Sequence, residues 1–212
     1  MIFRDRNDAG KRLILPLAKY RDQPDAIVIG LPRGGVVVAY EVAQGLNLLI
    51  DIIAPRKVGS PFNPELAIGA VTATGAGFFN EDIIEQLEVP KEYIQKEAEK
   101  ERKVAQQRQE MYRKGRPPLN LKGKTVLLVD DGLATGATMK AAIQLVKEQK
   151  AKQIVVVIPV APPDTLIEIE MMVDQVICLY APPFFQAVGQ FYETFGQTSD
   201  EEVMQILRTD KE

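Results

Sequence analysis

The chain has 212 residues, 26 Lys and Arg against 29 Asp and Glu, a formal net charge of -3, one cysteine and no histidine or tryptophan. Within this chain that excludes a disulfide, a Ser-His-Asp triad, a Cys-His pair and a histidine-ligated zinc site, so catalysis falls to carboxylates, Lys, Arg, Tyr, hydroxyls, backbone amides or an oxygen-held metal. The length fits a single unit over 1–212 with an insertion, and the acidic balance argues against nucleic acid as the main partner.

The N-terminus reads MIFRDRNDAGKR, with charges from Arg4 and no apolar run, so it lacks a signal-peptide pattern and a cytoplasmic location is expected. Residues 6–20 carry Ala9, Leu13, Leu17 and Tyr20 at helical spacing, with Asn7 or Asp8 as a cap. Residues 26–30 (AIVIG) form a short apolar run of the kind a buried parallel strand shows. A helix is expected over 36–44, between Gly34-Gly35 and Gly45, then a buried strand over 48–53 and a hairpin pairing 67–72 with 77–80 through Thr74-Gly75. Further on, the pattern predicts strands over 125–130, 154–158 and 175–179, with helices up to about residue 150 and over 164–172. The longest apolar stretch, near 154–163, contains proline and is too short for a bilayer. This alternation predicts an α/β fold around a mostly parallel, twisted sheet.

Residues 81–118 differ from the rest, being charged and without a strand signal. Residues 91–112 read as a long exposed helix with Glu92/Lys96 and Glu99/Lys103 as i,i+4 pairs. Its thin apolar stripe of Ile94, Ala98, Ala105 and Tyr112 fits a solvated helix packed lightly on the domain, or a dimerising or partner-binding arm.

The chemistry concentrates in residues 126–138 (VLLVDDGLATGAT), where a buried strand ends in two adjacent carboxylates and a glycine- and threonine-bearing loop opens a helix. A helix start of this kind offers free N–H groups to a phosphate, and the paired acids suit sugar hydroxyls or an oxygen-held magnesium ion. No GxxxxGK[ST] loop is present, and no lysine sits inside the cradle, so a single sugar phosphate fits better than a nucleoside triphosphate.

This run resembles the phosphoribosyl pyrophosphate (PRPP) motif of type I phosphoribosyltransferases. The resemblance implies that fold, with a small hood and a helical insertion, and a Mg2+-dependent, salvage-type transfer of phosphoribose to a purine-like base. It implies Asp130 and Asp131 on the ribose hydroxyls and Ala134, Thr135, Gly136, Ala137 and Thr138 around the 5-phosphate, with Mg2+ held through PRPP and by Asp130 and Asp131. Pro32, Arg33, Gly34 and Gly35 correspond to the pyrophosphate loop, with a non-proline cis peptide at Pro32-Arg33. Arg56 and Lys57 correspond to a basic dipeptide leading into a lid over 58–65. The hood is expected from about 1–20 and 181–200, with Phe184 or Phe185 stacking on the acceptor base. Ala134 stands where 6-oxopurine enzymes carry an aspartate, which leaves Glu65 as the carboxylate to test for the acceptor proton. The resemblance also implies a homodimer. Two other readings share the fold: a PRPP-binding regulator without transferase activity, and a hydrolase of PRPP.

Overall fold

The computed structural model describes residues 2–209; Met1 and residues 210–212, at the ends of the expected unit, lie outside them. Five strands form the central sheet: β1 (Ala26–Gly30), β2 (Leu49–Ile52), β6 (Thr125–Val129), β7 (Gln153–Val160) and β8 (Gln175–Tyr180). Their order is β2-β1-β6-β7-β8, and every pairing is parallel. All residues of β1 and β6 are buried, as strands covered on both faces require.

Side chains alternate between two cores. Val28, Ile50, Leu127 and Val155 face the helix α2 (Gly34–Leu46), whereas Ile29, Val126, Leu128 and Val156 face α5 (Ala137–Glu148). The chain leaves β1 towards β2 on one side and leaves β6 towards β7 on the other. A crevice opens between β1 and β6 at their carboxyl ends, the place where such sheets bind ligands.

Helix α1 spans Arg6–Leu13, with Asp5 as the cap: its carboxylate accepts from the Asp8 amide at 2.8 Å. The chain then breaks, because Pro16 cannot continue the turn, and resumes as a 3-10 turn at Ala18–Tyr20. The helix expected over 6–20 is thus two pieces. Gly45 does not stop α2. A Cβ there would lie 2.3 Å from Ile14 Cδ1, so this glycine makes room for the end of α1, and α2 ends at left-handed Asn47.

A second, antiparallel sheet holds β3 (Arg56–Gly59), β4 (Ala67–Val71) and β5 (Gly77–Phe79). The expected hairpin is β4–β5. Strand β3 was expected as the start of a lid, but Val58 is fully buried and pairs with Gly69, so the free loop is confined to 60–66.

The 81–118 segment contains α3 (Glu81–Gln86) and α4 (Lys91–Tyr112). Helix α4 is anchored more firmly than its thin stripe suggested. Val58, Ile68 and Val71 pack with Tyr93, Ile94 and Ala98 on one side. Gln109 accepts from the Ala54 amide at 2.9 Å and donates to the Ile52 carbonyl at 3.1 Å, satisfying the backbone where β2 ends. Arg113, just past the helix, grips buried Asp51 at 2.8 Å. Helix α6 (Pro163–Glu170) covers the α5 face, and α7 (Asp200–Thr209) adds Val203 and Leu207 to the α2 core. No helix among the described residues is long and apolar enough to cross a membrane.

Candidate active site

The register of β1 and β6 brings the site together. Gly30 pairs with Val129, so both strands end level, and the Leu31 amide donates to the Val129 carbonyl at 3.0 Å. Leu31 to Gly35 and Asp130 to Thr138 therefore emerge side by side. The Pro32-Arg33 peptide is cis, as the motif implied.

Gly34 and Gly35 leave space that the acids fill. A Cβ on Gly34 would lie 2.0 Å from Asp131 Oδ2, and one on Gly35 would lie 2.6 Å from Asp130 Oδ1. The two sequence motifs thus touch, and each glycine lets one aspartate close in.

The loop expected to cradle a phosphate is made of backbone. Gly136, at φ 70°, turns the chain into α5. No side chain caps this end, so the first-turn N–H groups of α5 point out at the positive end of the helix. Thr165 of α6 fixes the loop from behind, donating to the Ala134 carbonyl at 2.7 Å.

The acids differ in environment. Asp130 is half-buried; its loss of solvent, reinforced by the neighbouring Asp131 charge, pushes its carboxyl well above the ordinary value of 3.8. Its Oδ1 accepts from the Asp131 amide at 2.8 Å. Asp131 Oδ2 instead meets Arg6 Nε at 2.7 Å, with the two side chains only 12% and 15% exposed. Arg6 Nη1 donates to the Gly196 carbonyl at 2.6 Å, and its guanidinium lies over the Phe195 ring, 4.0 Å from the centroid. Tyr192 donates its hydroxyl to the Asp131 carbonyl at 2.6 Å.

The hood therefore comes from both ends of the chain. Phe3 bridges to Tyr192 and packs with Val160, Phe191 and Phe185. Phe185 stacks on Phe191 at 5.4 Å between centroids, while Phe184 is 89% exposed. Two other rings adjoin the acids, Tyr192 directly at the Asp131 carbonyl and Phe195 through Arg6.

On the other side, a cleft of about 630 Å3 gathers Pro32, Arg56, Lys57, Glu65 and Thr138 against α4. Of the sequence-predicted pyrophosphate residues, Pro32, Arg56 and Lys57 thus share one cavity with the lid carboxylate Glu65 and with Thr138 at the start of α5, whereas Arg33, Gly34 and Gly35 lie outside its lining. Arg56 is held by buried Glu101 of α4 at 2.8 Å. Arg33 Nη1 sits 3.8 Å from Asp200, which also accepts from the Tyr112 hydroxyl at 2.5 Å. Burial, with the Asp200 charge, pushes Tyr112 up to about 12, so it stays a donor at neutral pH.

The phosphoribosyl transferase domain model matches residues 68–194, more than half of the chain. The chain belongs to the phosphoribosyl transferase family. A relative from Mycobacterium tuberculosis H37Rv, provisionally named a phosphoribosyl transferase, is 41% identical over 206 residues, which are 97% of this chain and 46% of the relative. The chain thus spans about half the length of the curated relatives it matches. Its fold is shared with the crystal structure of TT1426 from Thermus thermophilus, at 42% identity, 98% coverage of both chains and a TM-score of 0.82. Aquifex aeolicus AQ2163, at 14% identity and a TM-score of 0.51 over 82% of this chain and 73% of that one, shares the fold alone.

Sequence reasoning missed Glu101 and Asp200 in this candidate site. Arg6 was legible only as part of the segment Phe3-Arg4-Asp5-Arg6 within the expected hood, without its partner Asp131. Glu101 and Asp200 had no signal, because each meets its partner only through long-range packing.

Proposed function

We propose that this chain, with PRPP and Mg2+, transfers the 5-phosphoribosyl group to a nitrogen of a purine-like base and releases pyrophosphate, a salvage-type reaction. The observation that supports the reading is the meeting of the two motifs. The acids Asp130 and Asp131 fill the spaces left by Gly34 and Gly35, beside an uncapped helix start.

In this reading the 5-phosphate lies on the amides of 134–138, with Thr135 and Thr138 hydroxyls beside it. The ribose hydroxyls meet Asp130 and Asp131. Arg6 fixes the position of Asp131 at 2.7 Å. The bond from the anomeric carbon to pyrophosphate oxygen breaks as the bond to the acceptor nitrogen forms. Arg33 and Lys57, and Arg56 through its fixed position on Glu101, offset charge on the leaving group. Glu65, in the 60–66 loop of the same cleft, takes the acceptor proton.

Magnesium fits this donor set. Among the described residues no group of three or more His, Cys, Asp or Glu could hold a metal alone. Two oxygen donors are what Mg2+ takes when substrate phosphates complete its shell. Asp130 and Asp131 would hold it; when bound, it neutralises phosphate charge. A homodimer and a cytoplasmic location belong to the same reading.

The deciding experiment is an acceptor screen. PRPP and Mg2+ are incubated with purines, pyrimidines and related heterocycles, and pyrophosphate release is measured. Release that depends on one base class supports transfer. Binding of PRPP with no release for any base would favour the regulatory reading, and release without a base would favour hydrolysis.

A further inference from the structure

The cleft of about 630 Å3 has two walls of different origin. Pro32, Arg56, Lys57 and Thr138 come from the core fold and the small sheet. Tyr93, Glu97, Lys100, Glu101 and Arg108 come from α4, and their spacing places them along one helical face. The charged face of the inserted helix is therefore turned into the cavity rather than only to solvent.

Within the cleft most charges are already paired. Arg56 meets Glu101 at 2.8 Å, and Lys100 meets Glu97 at 2.7 Å. Two cations remain, Lys57 on one wall and Arg108 on the other. Neither side chain makes a hydrogen bond or ion pair among the described residues. Glu65 is the one lining carboxylate left beside them. The start of α5 at Thr138 adds the positive end of a 12-residue helix. The uncommitted charge in the cavity is thus positive and divided between opposite walls. Such a space suits an anion with two charged centres better than a single phosphate, and a guanidinium can grip phosphate oxygens through two parallel N–H donors.

We propose that Arg108, carried by the inserted helix α4, is a binding residue for the diphosphate of PRPP and for released pyrophosphate, closing the leaving-group pocket opposite Lys57. This rests on the PRPP reading above, and it assigns the insertion a role in substrate binding.

Calorimetry on the full chain with Mg2+ tests it, using PRPP, inorganic pyrophosphate and ribose 5-phosphate as separate probes. Arg108→Ala should weaken PRPP and pyrophosphate about tenfold or more and leave ribose 5-phosphate within about twofold. Arg108→Lys, which keeps the charge without the fork, should recover part of the loss. Equal pyrophosphate affinity in Arg108→Ala and the unmodified chain would overturn the assignment, as would a loss that extends equally to ribose 5-phosphate. Failure of the unmodified chain to bind PRPP at all would instead overturn the PRPP reading itself.

Discussion

The cradle, which reaches the cleft at Thr138, and the α4 wall of that cleft are built by different means. On the cradle side, acids and phosphate loop hang from strands buried along their whole length, and contacts run through backbone and missing Cβ atoms. On the α4 side, long charged side chains do the work, partly exposed and mostly paired with one another. A backbone-built surface holds one geometry and tolerates little. A side-chain surface can adjust, and loses its contribution one charge at a time. Substitutions on the cradle side should therefore act nearly all-or-none, and those on the α4 side in graded steps.

The sharpest way to break that contrast is Gly34→Ala. Its Cβ would sit 2.0 Å from Asp131 Oδ2 and 2.5 Å from Arg6 Nε. We expect a stability loss of about 1–3 kcal/mol in denaturant titration, with PRPP binding heat lost. A folded Gly34→Ala chain with unchanged PRPP affinity would show that the cradle is softer than its geometry implies.

Next is Arg6→Ala. It removes the ion pair to Asp131, its bond to Gly196 and the Phe195 contact together. A melting scan should show a loss of about 1.5–3 kcal/mol, the range for a hydrogen bond to a charged group, and PRPP affinity should fall about tenfold. Unchanged affinity would detach the N-terminal segment from the site.

Asp130→Asn probes the half-buried acid through pH. The carboxyl is raised in the folded chain, so its neutral form is favoured there. Its stabilising contribution is full below the ordinary value of 3.8 and is lost as pH rises through the raised folded value. Asp130→Asn cannot ionise. Its melting temperature relative to the unmodified chain should therefore climb as pH rises above the ordinary carboxyl value of 3.8. A difference independent of pH would show that Asp130 is not held neutral.

The smallest effect is expected at Phe184, 89% exposed at the rim of the hood. Phe184→Ala should change stability by less than about 0.5 kcal/mol. If Phe184 stacks on the acceptor, the acceptor KM rises while PRPP affinity stays the same; an unchanged acceptor KM removes it from the site.

The same contrast explains what the sequence made legible. The strand–acid–glycine–helix run and the Gly34-Gly35 turn were readable because backbone-built sites leave a local signature: apolar strand, glycine and cap in a fixed order. The five parallel strands were readable for the same reason, as short continuous apolar runs. Strand β3 was hidden because Arg56 and Lys57, at its start, look like loop residues. Helix α4 was readable as a helix but not as a wall, since its inward face is charged and its apolar stripe is thin. Its anchors, Gln109 on the end of β2 and Arg113 on Asp51, lie more than 50 residues from their partners. Arg6 reaches Asp131 across 125 residues. No local pattern encodes such meetings.

The central claim is that Asp130 and Asp131 hold the ribose of PRPP within this cradle. The direct measurement is the melting temperature of the full chain with and without PRPP and Mg2+, compared with the double variant Asp130→Asn and Asp131→Asn. The unmodified chain should gain several degrees on saturation, as expected for a ligand that binds only the folded state, and the double variant should gain none. An equal shift in both proteins would contradict the assignment.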